Sequence, residues 1–155
     1  MNNVNLGCGK LKKEGWLNID ISKEVNPDKV WDIRKGLPFL EDNSCEEVHA
    51  GCVLEQICGN EDFIKVMNEI FRVLKPEGKL TGYVPNANYP CAFQDPMDCR
   101  YFNNETWKYF DIKENHYQEF GKHYGFKPFT NITFSTNDSG IMFFQLQPYK
   151  NGTEI

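Results

Sequence analysis

The sequence predicts an α/β domain: a mostly parallel sheet with an antiparallel hairpin at one edge. Three observations point there. Short segments of alternating apolar and polar residues recur through the first half. One strongly amphipathic helical stretch follows them. Two β-rich segments then flank the turn-forming run Asn137-Asp138-Ser139-Gly140. Strands joined by crossovers, then a hairpin, are the pattern of such a sheet.

Residues 4–6 read as a short first strand that runs straight into Gly7-Cys8-Gly9. Residues 16–21 (WLNIDI) alternate as a half-buried strand does, and 29–33 (KVWDI) read as a third strand. A turn region rich in Gly, Pro, Asp and Asn spans 36–43, and a fourth strand covers 46–54. The clearest helix starts with Asn60 as N-cap and Glu61 and Asp62 in its first turn. Phe63, Val66, Met67, Ile70, Val73 and Leu74 recur at helical spacing, and Pro76 and Gly78 stop the run. Residues 79–84 form a fifth strand. Residues 85–102 make a long irregular stretch, of the kind that serves as a lid or binding loop. A substrate-loop region is therefore read over 85–110. A short helix capped by Asn104 covers 104–110, and helical residues continue over 115–124. Residues 126–135 and 141–147 form the closing hairpin, and 150–155 read as a loose tail.

Composition bounds the function. The 155 residues make a single domain, 1–155, by the usual size of about 100–200 residues. There are 17 basic and 22 acidic residues, a net charge of −5, so no basic track for a nucleic acid is expected. Lys10, Lys12 and Lys13 cluster, but Glu14 follows, and the group reads as a solvated loop. No leader and no apolar run of about 18 residues is visible, which predicts a cytoplasmic protein that spans no membrane. The six cysteines are Cys8, Cys45, Cys52, Cys58, Cys91 and Cys99. None forms C-x-x-C and no His stands at finger spacing, so small hydrophobic thiols in a reducing compartment are expected, with no metal site.

In an open α/β sheet, ligands bind outside the carboxyl ends of the strands, where strand order reverses. Gly7-Cys8-Gly9 follow strand one, Asp20 ends strand two, Asp32 ends strand three, and Gly51 and Cys52 end strand four. Glycines there let the backbone approach a ligand, and carboxylates can accept ribose hydroxyls or an exocyclic amine. The set points to a ligand containing a nucleoside.

The runs NLGCG (5–9), GWLNIDIS (15–22), WDIRKGLPFLEDNSCEEV (31–48), VLEQI (53–57), EIFRVLKPEGKL (69–80) and VPN (84–86) together resemble the class I S-adenosylmethionine-dependent methyltransferases. The likeness is to a small branch of that family and covers about residues 3–90, with a weaker match through DPMDCRYFNNETW (95–107). It implies a Rossmann-like, doubly wound sheet, S-adenosylmethionine as cofactor and S-adenosylhomocysteine as product. It also implies roles. Gly7, Cys8 and Gly9 would line the methionine and ribose side. Asn5 stands where the family usually has an acidic residue near the methionine ammonium. Asp20 would hold the ribose hydroxyls with Ile21 against the adenine. Asp32 would take the adenine amine with Ile33 beside it, and Gly51 and Cys52 would border the methionyl group.

The departures matter. Gln56 and Asp98 stand where the family carries histidines, so no obvious base remains. Asp98 and Glu55 are the candidate bases. Tyr89, Asp95, Arg100 and Tyr101 are the candidate substrate contacts on the long loop. His49, His116 and His123 read as structural or surface residues. The sequence thus predicts methyl transfer to a small-molecule, sugar or lipid-linked acceptor. The alternative is a protein or partner subunit that holds the cofactor or its product without turnover. A DNA amino-methyltransferase fits poorly, because strand four runs into VLEQ rather than a D/N-P-P-Y/F signature. A nicotinamide dehydrogenase fits poorly because G-x-G-x-x-G is missing.

Only residues 10–15 separate Gly9 from the second strand, although a parallel crossover normally takes about a dozen residues. The 22–28 link is as short, and nothing is read ahead of the first strand. Shortened N-terminal helices are expected, with one sheet face thinly covered. Either a homodimer hides that face or irregular coil lies over it.

Overall fold

The structure is a computed structural model and describes residues 3–150. The tail expected over 150–155 thus lies outside the described residues except for Lys150. Lys150 is tied in: its Nζ donates to Asn43 Oδ1 and to the carbonyls of Arg72 and Leu74.

Seven strands form one sheet. They are β1 (Asn3–Leu6), β2 (Leu17–Asp20), β3 (Lys29–Val30), β4 (Cys45–Gly51), β5 (Leu74–Pro85), β6 (Phe129–Thr136) and β7 (Ile141–Pro148), in the order β3-β2-β1-β4-β5-β7-β6. The first five run parallel. β7 runs antiparallel to both β5 and β6, and this hairpin forms the sheet edge. Chain order reverses between β1 and β4, which is the doubly wound arrangement and opens a crevice at their carboxyl ends.

The two faces differ in chemistry, because side chains alternate along each strand. Register puts Val4 beside Val48, Leu80 and Leu146, and Leu6 beside Ala50, Gly82 and Phe144. This face joins one core with Phe63, Val66, Met67 and Ile70 of helix α1 (Asn60–Val73) and with Phe102, Trp107 and Phe110. The other face carries the row Asn5, His49, Thr81 and Gln145. His49 Nδ1 lies 3.0 Å from Thr81 Oγ1, and that hydroxyl donates to Glu47. Over β1 and β2 the cover is coil: Asn5 donates to the carbonyl of Leu11, and Asn18 to those of Lys13 and Trp16. Of the two expected outcomes the coil is realised. On the same face Val30 of β3 and Phe143 of β7 are exposed apolar side chains.

Several element boundaries differ from the sequence reading. β3 stops at Val30, because the Asp32 side chain caps a 3-10 turn over Ile33–Lys35. β4 stops at Gly51, because Cys52 adopts a left-handed conformation with φ +50. Leu54 falls in a 3-10 turn (Leu54–Gln56). Gly59 rather than Asn60 is the N-cap of α1, and no side chain caps it. Pro76 and Gly78 do not follow the helix as a stop. α1 ends at Val73 and β5 starts at Leu74, so both residues lie in the irregular opening of β5, where the register shifts between Cys45 and Glu47. Asn103 rather than Asn104 caps the 3-10 segment Asn104–Tyr109, in a capping box with Thr106. Residues 117–124 are a π turn (Tyr117–Gly121) followed by the single turn α2 (Lys122–Tyr124).

One ionic clamp fixes the approach to β4. Arg72 is held by Glu69 and Asp42 and donates to the carbonyls of Leu37 and Leu40, while Glu69 accepts from the Leu37 N–H. The RVLKP run thus anchors the 37–42 turn from the end of α1.

Candidate functional site

At the carboxyl ends of β1, β2 and β4 lies a cleft of about 470 Å³. Gly7 turns the chain out of β1 with φ +57. A Cβ there would lie 1.9 Å from Val53 Cγ2, so glycine is required both by conformation and by space. Gly9, with φ +49, donates its N–H to Asp20 Oδ2 at 2.8 Å. Ser22 donates its N–H to Asp20 Oδ1, also at 2.8 Å. One carboxylate therefore sets the glycine turn and the exit of β2. Each of its oxygens keeps a further acceptor site for a ligand hydroxyl.

At the end of β3 the Asp32 carboxylate is gripped by the Arg34 guanidinium through two hydrogen bonds, 2.9 and 2.8 Å. That pairing holds its pKa below the ordinary carboxylate range. Ile21 and Ile33 flank it as apolar walls.

The structure brings Gly7, Asp20, Ile21, Asp32, Ile33 and Cys52 together around the cleft. It does not bring the other four predicted cofactor residues to the lining. Asn5 points to the polar face and holds Asn18. Cys8 is buried. Gly9 acts through its bond to Asp20. Gly51 lies beneath Tyr83, whose ring and hydroxyl would stand 2.6–2.8 Å from a Cβ there. The sequence reading missed Trp31, Arg34, Val53, Gln56, Ile57, Cys58, Gly59 and Met97 in the lining. For Trp31 and Arg34 the signal was present, since both adjoin the strand-end aspartate. Met97 comes from the long loop, and nothing local marks it.

Beyond β4 a second group of side chains gathers. Cys52 accepts its strained φ while its N–H donates to the Tyr83 carbonyl. Glu55 is 2 % exposed, and its Oε2 has no hydrogen-bond partner among the described residues. Burial, with Asp98 and Asp95 nearby, pushes its carboxyl up to about 7. Partial burial, then the neighbouring Glu55 carboxyl, and more weakly Asp98 and Asp95, push the Cys52 thiol up to about 12. Burial and then Asp95 raise Asp98 as well. Gln56 Nε2 sits between Asp95 and Asp98, at 3.4 and 3.3 Å. The Glu55 carbonyl accepts from the N–H groups of Cys99 and Arg100, which ties the long loop to the β4 exit.

The loop is also tied covalently. Cys58 and Cys99 form a disulfide, contrary to the expectation of six free thiols. Their sequence separation of 41 carried no pairing signal, and only the fold brings them together. Cys8, Cys45, Cys52 and Cys91 are free. No cluster of metal-ligating side chains occurs among the described residues.

The predicted substrate contacts separate. Asp95 stays near Glu55 and Gln56, but of Glu55, Asp95 and Asp98 none lines the cleft, whereas Gln56 does. Arg100 and Tyr101 turn into a neighbouring aromatic hollow, and Tyr89 packs over Gly140. Another hollow, about 660 Å³, surrounds Arg72 and Lys150 at the far end of α1 and belongs to the structural clamp.

The lining offers features that a nucleoside could use. Asp20 offers acceptor sites for vicinal hydroxyls, Ile21 and Ile33 offer walls for a flat base, and the glycine turn offers close backbone approach. Comparison with known proteins bears on the fold. Residues 11–81 match the family model described as "Methyltransferase domain". A methyltransferase dependent on S-adenosylmethionine from Archaeoglobus fulgidus superposes with a TM-score of 0.68 at 13% identity, over 94% of this chain and 85% of that one. A Haloferax volcanii chain solved in complex with the methyltransferase activator Trm112 gives 0.65 at 14%, over 98% and 83%. An S-adenosylmethionine-dependent methyltransferase from Methanosarcina mazei gives 0.60 at 14%, over 96% and 92%. At these identities the structures speak for the fold. No curated protein is a significant match in sequence.

Proposed function

We propose that this chain is a class I S-adenosylmethionine-dependent methyltransferase, that its cleft binds the cofactor and that it methylates a small-molecule, sugar or lipid-linked acceptor; the family-model match over residues 11–81 and the shared fold support the reading. The observation that carries the reading is the convergence of Gly7, Asp20 and Cys52 at the point of strand reversal.

Bound there, the cofactor supplies a methyl group already activated on a sulfonium. The chain's own residues then have three tasks. Asp20 accepts the ribose hydroxyls while keeping the glycine turn closed. Ile21 and Ile33 hold the base, and Asp32 offers its amine an acceptor shared with Arg34. Gly7 and the backbone of Cys52 border the methionyl end. Alignment in a closed, water-poor cleft supplies much of the rate in such a displacement. Where the acceptor must lose a proton, Glu55 takes it, since a carboxyl near 7 is matched to that work. Asp98 is the weaker candidate, because Gln56 already occupies it.

One observation favours a second reading, a binding protein or partner subunit without turnover. Glu55 Oε2 is shut away from solvent with no hydrogen-bond partner among the described residues. The Haloferax neighbour, solved with an activator, is a precedent for assembly with another chain. No homodimer is part of the proposal, and neither is a nucleic acid, given the net charge of −5. No helix among the described residues is long and apolar enough to cross a membrane. The Cys58–Cys99 disulfide is of a kind rare in reducing compartments, contrary to the reducing setting expected from the cysteine pattern.

The test is release of S-adenosylhomocysteine with pooled small-molecule acceptors. Turnover that falls in Glu55→Gln supports the enzyme. Cofactor binding with no product across broad pools supports the second reading.

A further inference from the structure

A second hollow, of about 380 Å³, flanks the cofactor cleft across the segment 57–60. It falls at the lower end of the range of about 300–1,000 Å³ typical of small-molecule pockets. Seven of its eleven lining residues are aromatic, among them Phe63, Tyr109, Phe110 and Phe126. Tyr101 and Tyr124 stand at it with about half of their surface exposed, 48% and 54%. Large aromatics left this open beside a concavity mark a binding surface.

Its charge is the informative feature. Arg100 lies with its guanidinium 4.1 Å over the Phe63 ring. It donates to the Ile57 carbonyl and to Asn60 Oδ1, both at 3.2 Å. Of the three arginines in the sequence, Arg34 pairs with Asp32 and Arg72 with Glu69 and Asp42. Among the described residues Arg100 has no carboxylate partner, and its Nη1 has no hydrogen-bond acceptor. No acidic residue lines the hollow. The cofactor cleft is the opposite case, with Asp20 and Asp32 in its lining. A half-buried cation without a counter-ion is costly, and the cost is relieved when an anion arrives. Burial already lowers the Arg100 pKa, consistent with that missing partner.

We propose that this hollow is a ligand site separate from the cofactor cleft, taking a small molecule with a flat apolar body and one anionic group. The rings receive the body edge-on or stacked. The free edge of the Arg100 guanidinium pairs with the anion while its face stays on Phe63. The site stands whether or not the neighbouring cleft turns over a methyl group.

The test uses two fluorescent probes with one aromatic body: 8-anilinonaphthalene-1-sulfonate, which is anionic, and N-phenyl-1-naphthylamine, which is neutral. The sulfonate should bind the wild-type chain at one site. Arg100→Met should weaken it by about tenfold or more, the size of one charge-assisted hydrogen bond, and leave the neutral probe within about twofold. Ile64→Trp, which fills the hollow without touching Arg100, should weaken both probes. Asp20→Asn should change neither. Unchanged sulfonate binding in Arg100→Met, or in Ile64→Trp, would overturn the proposal as adventitious adsorption. Loss of sulfonate binding in Asp20→Asn would overturn it by placing the probe in the cleft. The Ile64 and Asp20 variants keep the test decisive should Arg100→Met fail to fold, which circular dichroism reports.

Discussion

The Gly9 N–H donates to the Asp20 carboxylate at 2.8 Å, so the end of β2 holds the turn that leaves β1. Two segments that sequence motifs treat separately are one device. The same carboxylate that would receive the ribose keeps the glycine backbone in place to receive the rest.

Asp20→Ala should therefore weaken S-adenosylhomocysteine binding by about a hundredfold, because it removes an acceptor and releases the turn. Asp20→Asn should lose less, since one amide oxygen still accepts. Calorimetry reads both. Equal affinity in Asp20→Ala and wild type would mean that this strand end is not the ribose site.

Gly7→Ala should destabilise the fold by about 2 kcal/mol, read from urea unfolding. Two causes add: φ +57 disfavours a side chain, and Val53 Cγ2 occupies the Cβ position. Adding Val53→Ala should recover the steric part and leave about 1 kcal/mol for the backbone.

Glu55 gives a pH signature. Burial raises its carboxyl to about 7 in the fold from an ordinary 4.5. Below 4.5 both states are protonated and nothing is lost. Between 4.5 and 7 the unfolded chain ionises first, so stability falls as pH rises, by at most about 3 kcal/mol. Glu55→Gln should flatten this loss and be the more stable protein at pH 8. If Glu55 is the base, wild-type activity should rise with pH toward a plateau above 7 that the variant lacks.

The disulfide joins the long loop to the start of α1. Closing a loop of 41 residues is worth about 4 kcal/mol in the chain-entropy picture. Cys58→Ser and Cys99→Ser should each lower stability toward that value, and a dithiol reductant should do the same to wild type. Thiol titration in denaturant without reductant should find four thiols, those of Cys8, Cys45, Cys52 and Cys91. Six would contradict the bond.

The parallel strands, α1 and the closing hairpin were legible because each is a local pattern. Alternation marks Leu17–Asp20, and helical spacing marks Phe63 to Val73. The strand-end residues were legible because position after a strand is itself information. Other features depend on tertiary approach. Tyr83 looks like an ordinary strand residue until Gly51 leaves room beneath it. Cys58 and Cys99 look like buried thiols until the loop folds back. Asn5 looks like a ligand contact until Asn18 and Leu11 take its amide. Boundaries went astray where a side chain rewrote the backbone: Asp32 turned a strand into a 3-10 cap, and Asn103 took the cap from its neighbour.

The most direct test of the central claim is calorimetric titration of the folded wild-type chain with S-adenosylmethionine and S-adenosylhomocysteine. One saturable site for each ligand is the predicted result. A folded chain that binds neither would contradict the assignment of the cleft.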